Sequence, residues 1–90
     1  MRHLVQSSQF KKDFKKASKN PYWKKDDFLQ IVELLAKDIP LPERLKDHVL
    51  IGNYIHCREC HIKPDWLLIY SKDGDDILNL IRTGTHSELF

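Results

Sequence analysis

The second half of this 90-residue chain concentrates side chains able to work on a phosphodiester: His48, His61, Asp65, Arg82 and His86, with Trp66 and Phe90 close to them in sequence. RNA can be cut without a metal when one group takes the proton of a 2′-hydroxyl, a second protonates the departing 5′-oxygen, and a cation steadies the charged phosphorane. Histidine suits both proton transfers because its ordinary pKa lies near neutrality. Arginine suits the third task, since its planar fork matches phosphate geometry. The run Thr83-Gly84-Thr85-His86 adds a glycine that lets backbone approach a ligand closely, and hydroxyls that donate to phosphate oxygens. Each residue alone has a plainer reading: His48 as loop decoration, Asp65 as a turn former after Pro64, Arg82 as an ion-pair partner, His61 as a satisfied strand histidine. As a set they are richer in polar groups than a sheet of this size needs.

A second pattern, Cys57-Arg58-Glu59-Cys60-His61, has the C-x-x-C-H form of a haem attachment site. In an extended segment, residues three apart point to opposite faces, so the two thiols cannot share a haem, a zinc ion or a disulfide. Met1 is also the only methionine available as a second axial ligand. The expectation is two inert thiols, at least one of them buried, and no metal, haem or other cofactor.

Ninety residues are read as one domain spanning 1–90, with a small core. No apolar stretch approaches the ~20 residues of a membrane span. Met1 to Gln6 lacks the apolar run of a signal peptide, so a cytoplasmic location with no membrane contact is expected. The net charge of +2 hides an asymmetry: up to Lys25 there are eight Lys/Arg against the single Asp13, a net +7, and the remainder carries seven against twelve, a net −5. Lys11, Lys12, Lys15 and Lys16 head this basic stretch. They read either as a phosphate-facing surface or as a solvated helix face.

The elements that must position these groups follow from periodicity. His3 to Gln6 is a short apolar-containing opening, and Ser7-Ser8 offers N-caps for a helix carrying Phe10, Phe14 and Ala17 on one stripe. Asn20-Pro21 breaks and restarts the chain, and Phe28, Ile31, Val32 and Leu35 mark a second amphipathic helix running to about Asp38. From Ile39-Pro40 to Gly52 no clear period is visible, and a long ordered loop is expected. Three strand-like runs follow: Tyr54 to Ile62, Trp66 to Tyr70 and Ile77 to Thr83. They are separated by Lys63-Pro64-Asp65 and by a turn centred on Asp73-Gly74. This is an α+β pattern, a helical hairpin over one face of an antiparallel meander.

The stretches around Lys46-Asp47-His48, from Arg58 through Pro64-Asp65-Trp66 to Tyr70, and from Arg82-Thr83-Gly84-Thr85-His86 to Phe90 resemble the YafQ branch of the RelE/ParE toxin superfamily. The resemblance covers about half the chain. It implies an N-terminal helical hairpin on a four-stranded antiparallel sheet, with His3 to Gln6 as the fourth strand. It also implies a toxin that cleaves messenger RNA on the translating ribosome until a cognate antitoxin blocks it. Residue by residue, the family's functional histidines fall on His48, His61 and His86, its acid on Asp65 and its phosphate-binding arginine on Arg82. Trp66 and Phe90 match positions that shape the site. Two departures stand out: the loop His48 to Tyr54 has Val49 and Tyr54 where a proline and a tryptophan are usual, and Ile55-His56-Cys57 is unlike the usual stretch, which leaves His56 without a family role. A ParE-like toxin that binds a topoisomerase without cutting RNA is the competing reading, and an inactive relic that only binds its antitoxin is a third. A purely binding protein, however, has no need of several proton-transfer groups.

Overall fold

Strand β1 (His3–Gln6) leads into helix α1 (Ser8–Ala17), and the computed structural model, which describes residues 1–90, shows why the chain changes there. The Ser7 hydroxyl accepts the Phe10 amide hydrogen at 2.9 Å, capping the helix, and donates to the Ile81 carbonyl at 2.8 Å, tying the helix start to the sheet. Phe10 and Ala17 are buried and Phe14 half-buried, as the stripe predicts.

Helix α2 (Lys25–Ala36) begins four residues later than Pro21 suggests. Asn20 Oδ1 accepts the Tyr22 amide hydrogen at 2.9 Å, and this side-chain turn takes up the intervening residues. It leaves Trp23 flat against Trp66, with ring centroids 4.9 Å apart and planes 2° from parallel. The helix ends in a Schellman turn: the Asp38 amide bonds the Leu35 carbonyl and the Ile39 amide the Leu34 carbonyl. Asp38 takes the left-handed position at φ 58°.

The expected loop from Ile39 to Gly52 contains a 3₁₀ turn at Glu43–Leu45 and the two-residue strand β2 (His48–Val49). A second 3₁₀ turn, Gly52–Tyr54, occupies the expected start of the next strand, which begins only at Arg58. Strands β3 (Arg58–Lys63), β4 (Trp66–Asp73) and β5 (Ile77–Gly84) and the short helix α3 (His86–Leu89) complete the chain. The class is α+β, but the sheet has five strands rather than four, in the order β1-β5-β4-β3-β2. It is also mixed. β1 pairs parallel with β5, whereas the other pairs are antiparallel. A two-residue strand is too short to show periodicity, and β1 meets β5 across most of the chain, so no hairpin turn dictates its direction.

The sheet separates two apolar clusters. On the helix side, Cys60, Trp66, Leu68, Tyr70, Leu78 and Leu80 pack with residues of α1 and α2. On the other side, Leu67 and Ile69 pack with Leu89 of α3, bordered by Leu50, Tyr54, Cys57 and Ile81. Cys57 and Cys60 therefore lie against opposite faces. Burial pushes the Cys60 thiol up to about 12, with the charges of Asp47 and Glu59 adding to it, and burial also raises Cys57. No helix is long and apolar enough to cross a membrane.

Candidate active site on the open face of the sheet

Strand register assembles the polar set on the face not covered by α1 and α2. His48, Glu59, Ile69 and Arg82 form one row across β2, β3, β4 and β5, and His61, Leu67 and Gly84 form the next. With neighbouring strands about 4.8 Å apart, Glu59 and Arg82 flank a central strip of apolar side chains roughly 10 Å wide. Arg82 owes its place to a β-bulge. Tyr70 pairs with Leu80 but Ile69 with Arg82, so Ile81 is an extra residue. Simple alternation from Leu80 would have turned Arg82 toward the helices. The bulge re-aims it.

At one end of the row, His48 and His61 sit with ring centroids 6.5 Å apart, and each Nε2 lies 3.6 Å from Glu59 Oε1. The other ring nitrogens face backbone: His48 Nδ1 is 2.6 Å from the Lys46 carbonyl and His61 Nδ1 is 3.3 Å from the Pro64 carbonyl. A carbonyl oxygen only accepts, so each Nδ1 carries a hydrogen and both Nε2 atoms turn to the carboxylate. Glu59 is 3% exposed, and its Oε2 is buried without a hydrogen-bond partner.

The β3–β4 turn, whose Pro64 carbonyl His61 faces, meets α3. Asp65 Oδ1 accepts the His86 amide hydrogen at 3.1 Å, and the exposed His86 ring lies 5.0 Å from the Phe90 ring. Phe90 meets Tyr54 edge-on at 5.7 Å, and the Tyr54 hydroxyl accepts a hydrogen bond from Arg82 Nη1 at 3.3 Å. Arg82 therefore joins His86 through Tyr54 and Phe90. α3 is set by a capping box, in which Thr85 Oγ1 accepts from the Glu88 amide and the Thr85 amide donates to Glu88 Oε1. Gly84, at φ 154°, makes room for it: a Cβ there would stand 3.1 Å from Glu88 Oε1. The glycine thus admits α3, where the sequence suggested that it admits a ligand.

Two of the expected substrate-contacting groups are placed differently. Trp66 is 1% exposed on the helix-covered face, stacked on Trp23, with its indole N–H donating to Thr83 Oγ1 at 2.9 Å. It begins β4 on the core face, so it cannot meet a substrate on the open one. The four lysines also split. Lys12 and Lys16 line a cavity of about 570 Å³ beside Arg82, together with Asp13, Thr85 and Glu88, while Lys11 and Lys15 lie outside it.

Sequence reasoning missed Glu59, Asp13 and Tyr54. Glu59 was detectable, because it stands two residues before His61 and so shares its strand face. Asp13 is the sole acid of the basic segment.

The family model for the bacterial toxin of type II toxin-antitoxin systems, YafQ, matches residues 2–90. The chain belongs to the YafQ toxin family. It is 41% identical to the mRNA interferase toxin YafQ of Escherichia coli K12 over 90 residues, covering 99% of this chain and 96% of that protein. Among solved structures, YafQ in the E. coli DinJ-YafQ complex superimposes with a TM-score of 0.86 at 40% identity, covering 100% of this chain and 99% of that one. A metal-bound toxin from Helicobacter pylori gives a TM-score of 0.91 at 42% identity, with all of both chains covered. In the present YafQ-family chain no three His, Cys, Asp or Glu side chains are arranged to hold a metal ion. The nearest donors, His48, Glu59 and His61, make the 3.6 Å contacts described above.

Proposed function

We propose that this chain is the toxin of a type II toxin-antitoxin pair and cuts messenger RNA by acid-base catalysis on the open face of its sheet, as a single domain over residues 1–90. One observation carries the reading. Proton-transfer groups, His48 and His61 on β2 and β3 and Asp65 and His86 where the β3–β4 turn meets α3, border an apolar floor beside an arginine. A base among the histidines takes the 2′-hydroxyl proton, the oxygen attacks phosphorus, and an acid from the set protonates the 5′-oxygen as it leaves. Arg82 holds the charged phosphorane. Phe90, 54% exposed, offers a ring on which a base of the message can stack. The steps use only this chain's side chains.

The E. coli relatives are named for mRNA cleavage and one was solved with its antitoxin DinJ. By the same reading, a cognate antitoxin neutralises this chain, and the message is met on the ribosome in the cytoplasm. Binding a topoisomerase without cutting RNA is not favoured, since the matching relatives are mRNA interferases. The test is a message carrying one 2′-deoxy nucleotide at a mapped cleavage position, incubated with and without translating ribosomes. Attack by the 2′-oxygen requires loss of cleavage at that nucleotide alone. Continued cutting there would overturn the mechanism, and an intact unmodified message under both conditions would overturn the activity.

A further inference from the structure

Arg82 does not stand free. Its Nε donates to Asp13 Oδ2 at 2.7 Å and its Nη2 to Asp13 Oδ1 at 3.2 Å, a two-point ion pair between helix α1 and strand β5. Asp13 is held in turn. Its Oδ2 also accepts the Thr83 amide hydrogen at 3.2 Å, and its Oδ1 accepts from Gln9 Nε2 at 3.0 Å. The Thr83 amide is free to do this because β1 stops pairing with β5 at Leu80.

We propose that Asp13 is the positioning residue for the phosphate-binding arginine, fixing the guanidinium so that its remaining N–H groups face the scissile phosphate. A surface ion pair between flexible side chains would carry no such role. Here the side chains are only 10% and 23% exposed, the contact is bidentate, and the carboxylate is tied to backbone. Arg82 has five N–H donors. Asp13 occupies the Nε–Nη2 edge and Tyr54 takes one hydrogen of Nη1, which leaves one hydrogen on each terminal nitrogen. The charge balance agrees. Burial opposes ionisation of Asp13, but hydrogen bonds from Arg82, Gln9 and Thr83 outweigh it and keep the carboxyl below its usual range. Asp13 thereby acts on the reaction through Arg82 without touching substrate.

The proposal rests on the RNA-cleaving reading, and its test separates the two. Asp13→Asn and Asp13→Ala are compared in the natural chain and in an Arg82→Ala background. The readouts are kcat and KM on message, thermal unfolding, and the Arg82 Nε–H signal in nitrogen-proton NMR spectra. In the natural background kcat falls, on the order of 10²-fold for a misplaced phosphate contact, while KM and the unfolding temperature of the Asn variant change little. With Arg82→Ala already present, the same substitution costs nothing further. A slowly exchanging Arg82 Nε–H is expected in the unaltered protein and lost in Asp13→Asn. Equal losses in both backgrounds, a rate increase, or an unprotected Nε–H in the unaltered protein would each overturn the proposal. The NMR arm holds even if the unaltered chain leaves RNA intact, an outcome that counts against the activity alone.

Discussion

The two faces of one sheet differ in kind, although they alternate along the same strands. The helix-covered face is dry: Trp66, Leu68, Tyr70, Leu78 and Leu80 are each no more than 1% exposed and are packed by α1 and α2. The open face has an equally buried apolar centre in Leu67 and Ile69, but ionisable groups ring it, and α3 borders it together with, beside Arg82, Asp13 of α1. Strand periodicity assigns each residue to one duty or the other, folding or chemistry. Substitutions on the two faces should therefore fail in different assays.

The largest effect is expected on the open face. His86→Ala should lower message cleavage by ~10²–10⁴-fold, the usual share of a proton-transfer group. Its ring is exposed and lies beside the exposed Phe90 ring, so thermal unfolding should barely move. Primer extension on a translated message, run beside unfolding curves, checks both halves. Full cleavage by folded His86→Ala protein would remove His86 from the mechanism, and a large drop in unfolding temperature would show that the open face also carries the fold.

The opposite pattern is expected for Trp66→Ala. Deleting a fully buried indole typically costs about 3–5 kcal/mol, a large part of the stability of so small a domain. The variant also removes the stacking partner of the Trp23 ring and one of the two hydrogen bonds of the Thr83 hydroxyl, which keeps its bond to the Leu67 carbonyl. Measured by urea unfolding, the loss should fall on stability, and whatever fraction stays folded should cleave normally. Normal stability with a raised KM would return Trp66 to the substrate.

Much of this division can be read in the chain itself. The α1 stripe, the α2 face, the Pro64-Asp65 and Gly74 turns and the opposed cysteines follow from local periodicity and turn chemistry, and the structure agrees with them. Arg82 is different. Its face depends on the bulge at Ile81, a register shift between two strands that no local pattern in β5 announces. Its neighbour Asp65 and the family resemblance draw Trp66 toward the site, yet Trp66 starts β4 on the helix-covered face. Glu59 looks incidental as an acid inside a C-x-x-C-H run until β2 brings His48 alongside. β1 and β2 are too short or too exposed to carry a period.

A smaller effect should divide the lysines of α1. Lys12 and Lys16 face the cavity beside Arg82 and Lys11 and Lys15 do not, so the pairs should differ in salt dependence. Each phosphate neutralised on a single strand contributes about 0.7 to the slope of log affinity against log salt. The Lys12→Ala/Lys16→Ala protein should lose roughly 1.4 from that slope if both lysines meet phosphate. The Lys11→Ala/Lys15→Ala protein should lose much less. Fluorescence anisotropy with a non-cleavable oligonucleotide measures both, and equal slopes would return all four lysines to a solvated helix face.

The smallest expected effect is local and depends on pH. The Lys16 hydrogen bond, the Thr85 amide and the Lys16 charge hold the Glu88 carboxyl well down, at about 2 against an ordinary 4.5. A carboxyl depressed in the folded state contributes stability that is fully present above its unfolded pKa and is lost as pH falls through the folded one. The window is therefore pH 4.5 down to 2. What is lost there is the capping box that seats α3, and with α3 the placement of Leu89 and Phe90 at the edge of the open face. Amide exchange at Glu88, Leu89 and Phe90 should speed up across that window in the natural chain. In Glu88→Ala protein, which has no side-chain acceptor for the Thr85 amide, it should already be fast at neutral pH and follow only the intrinsic dependence. Because the Lys16 ammonium is mostly exposed, the pair is partly screened, and added salt should narrow the difference between the two proteins. Amides of β4 beneath the helical hairpin should show no matching change. If they loosen in step with α3, the two faces respond as one cooperative unit and the division of duties does not extend to their stability.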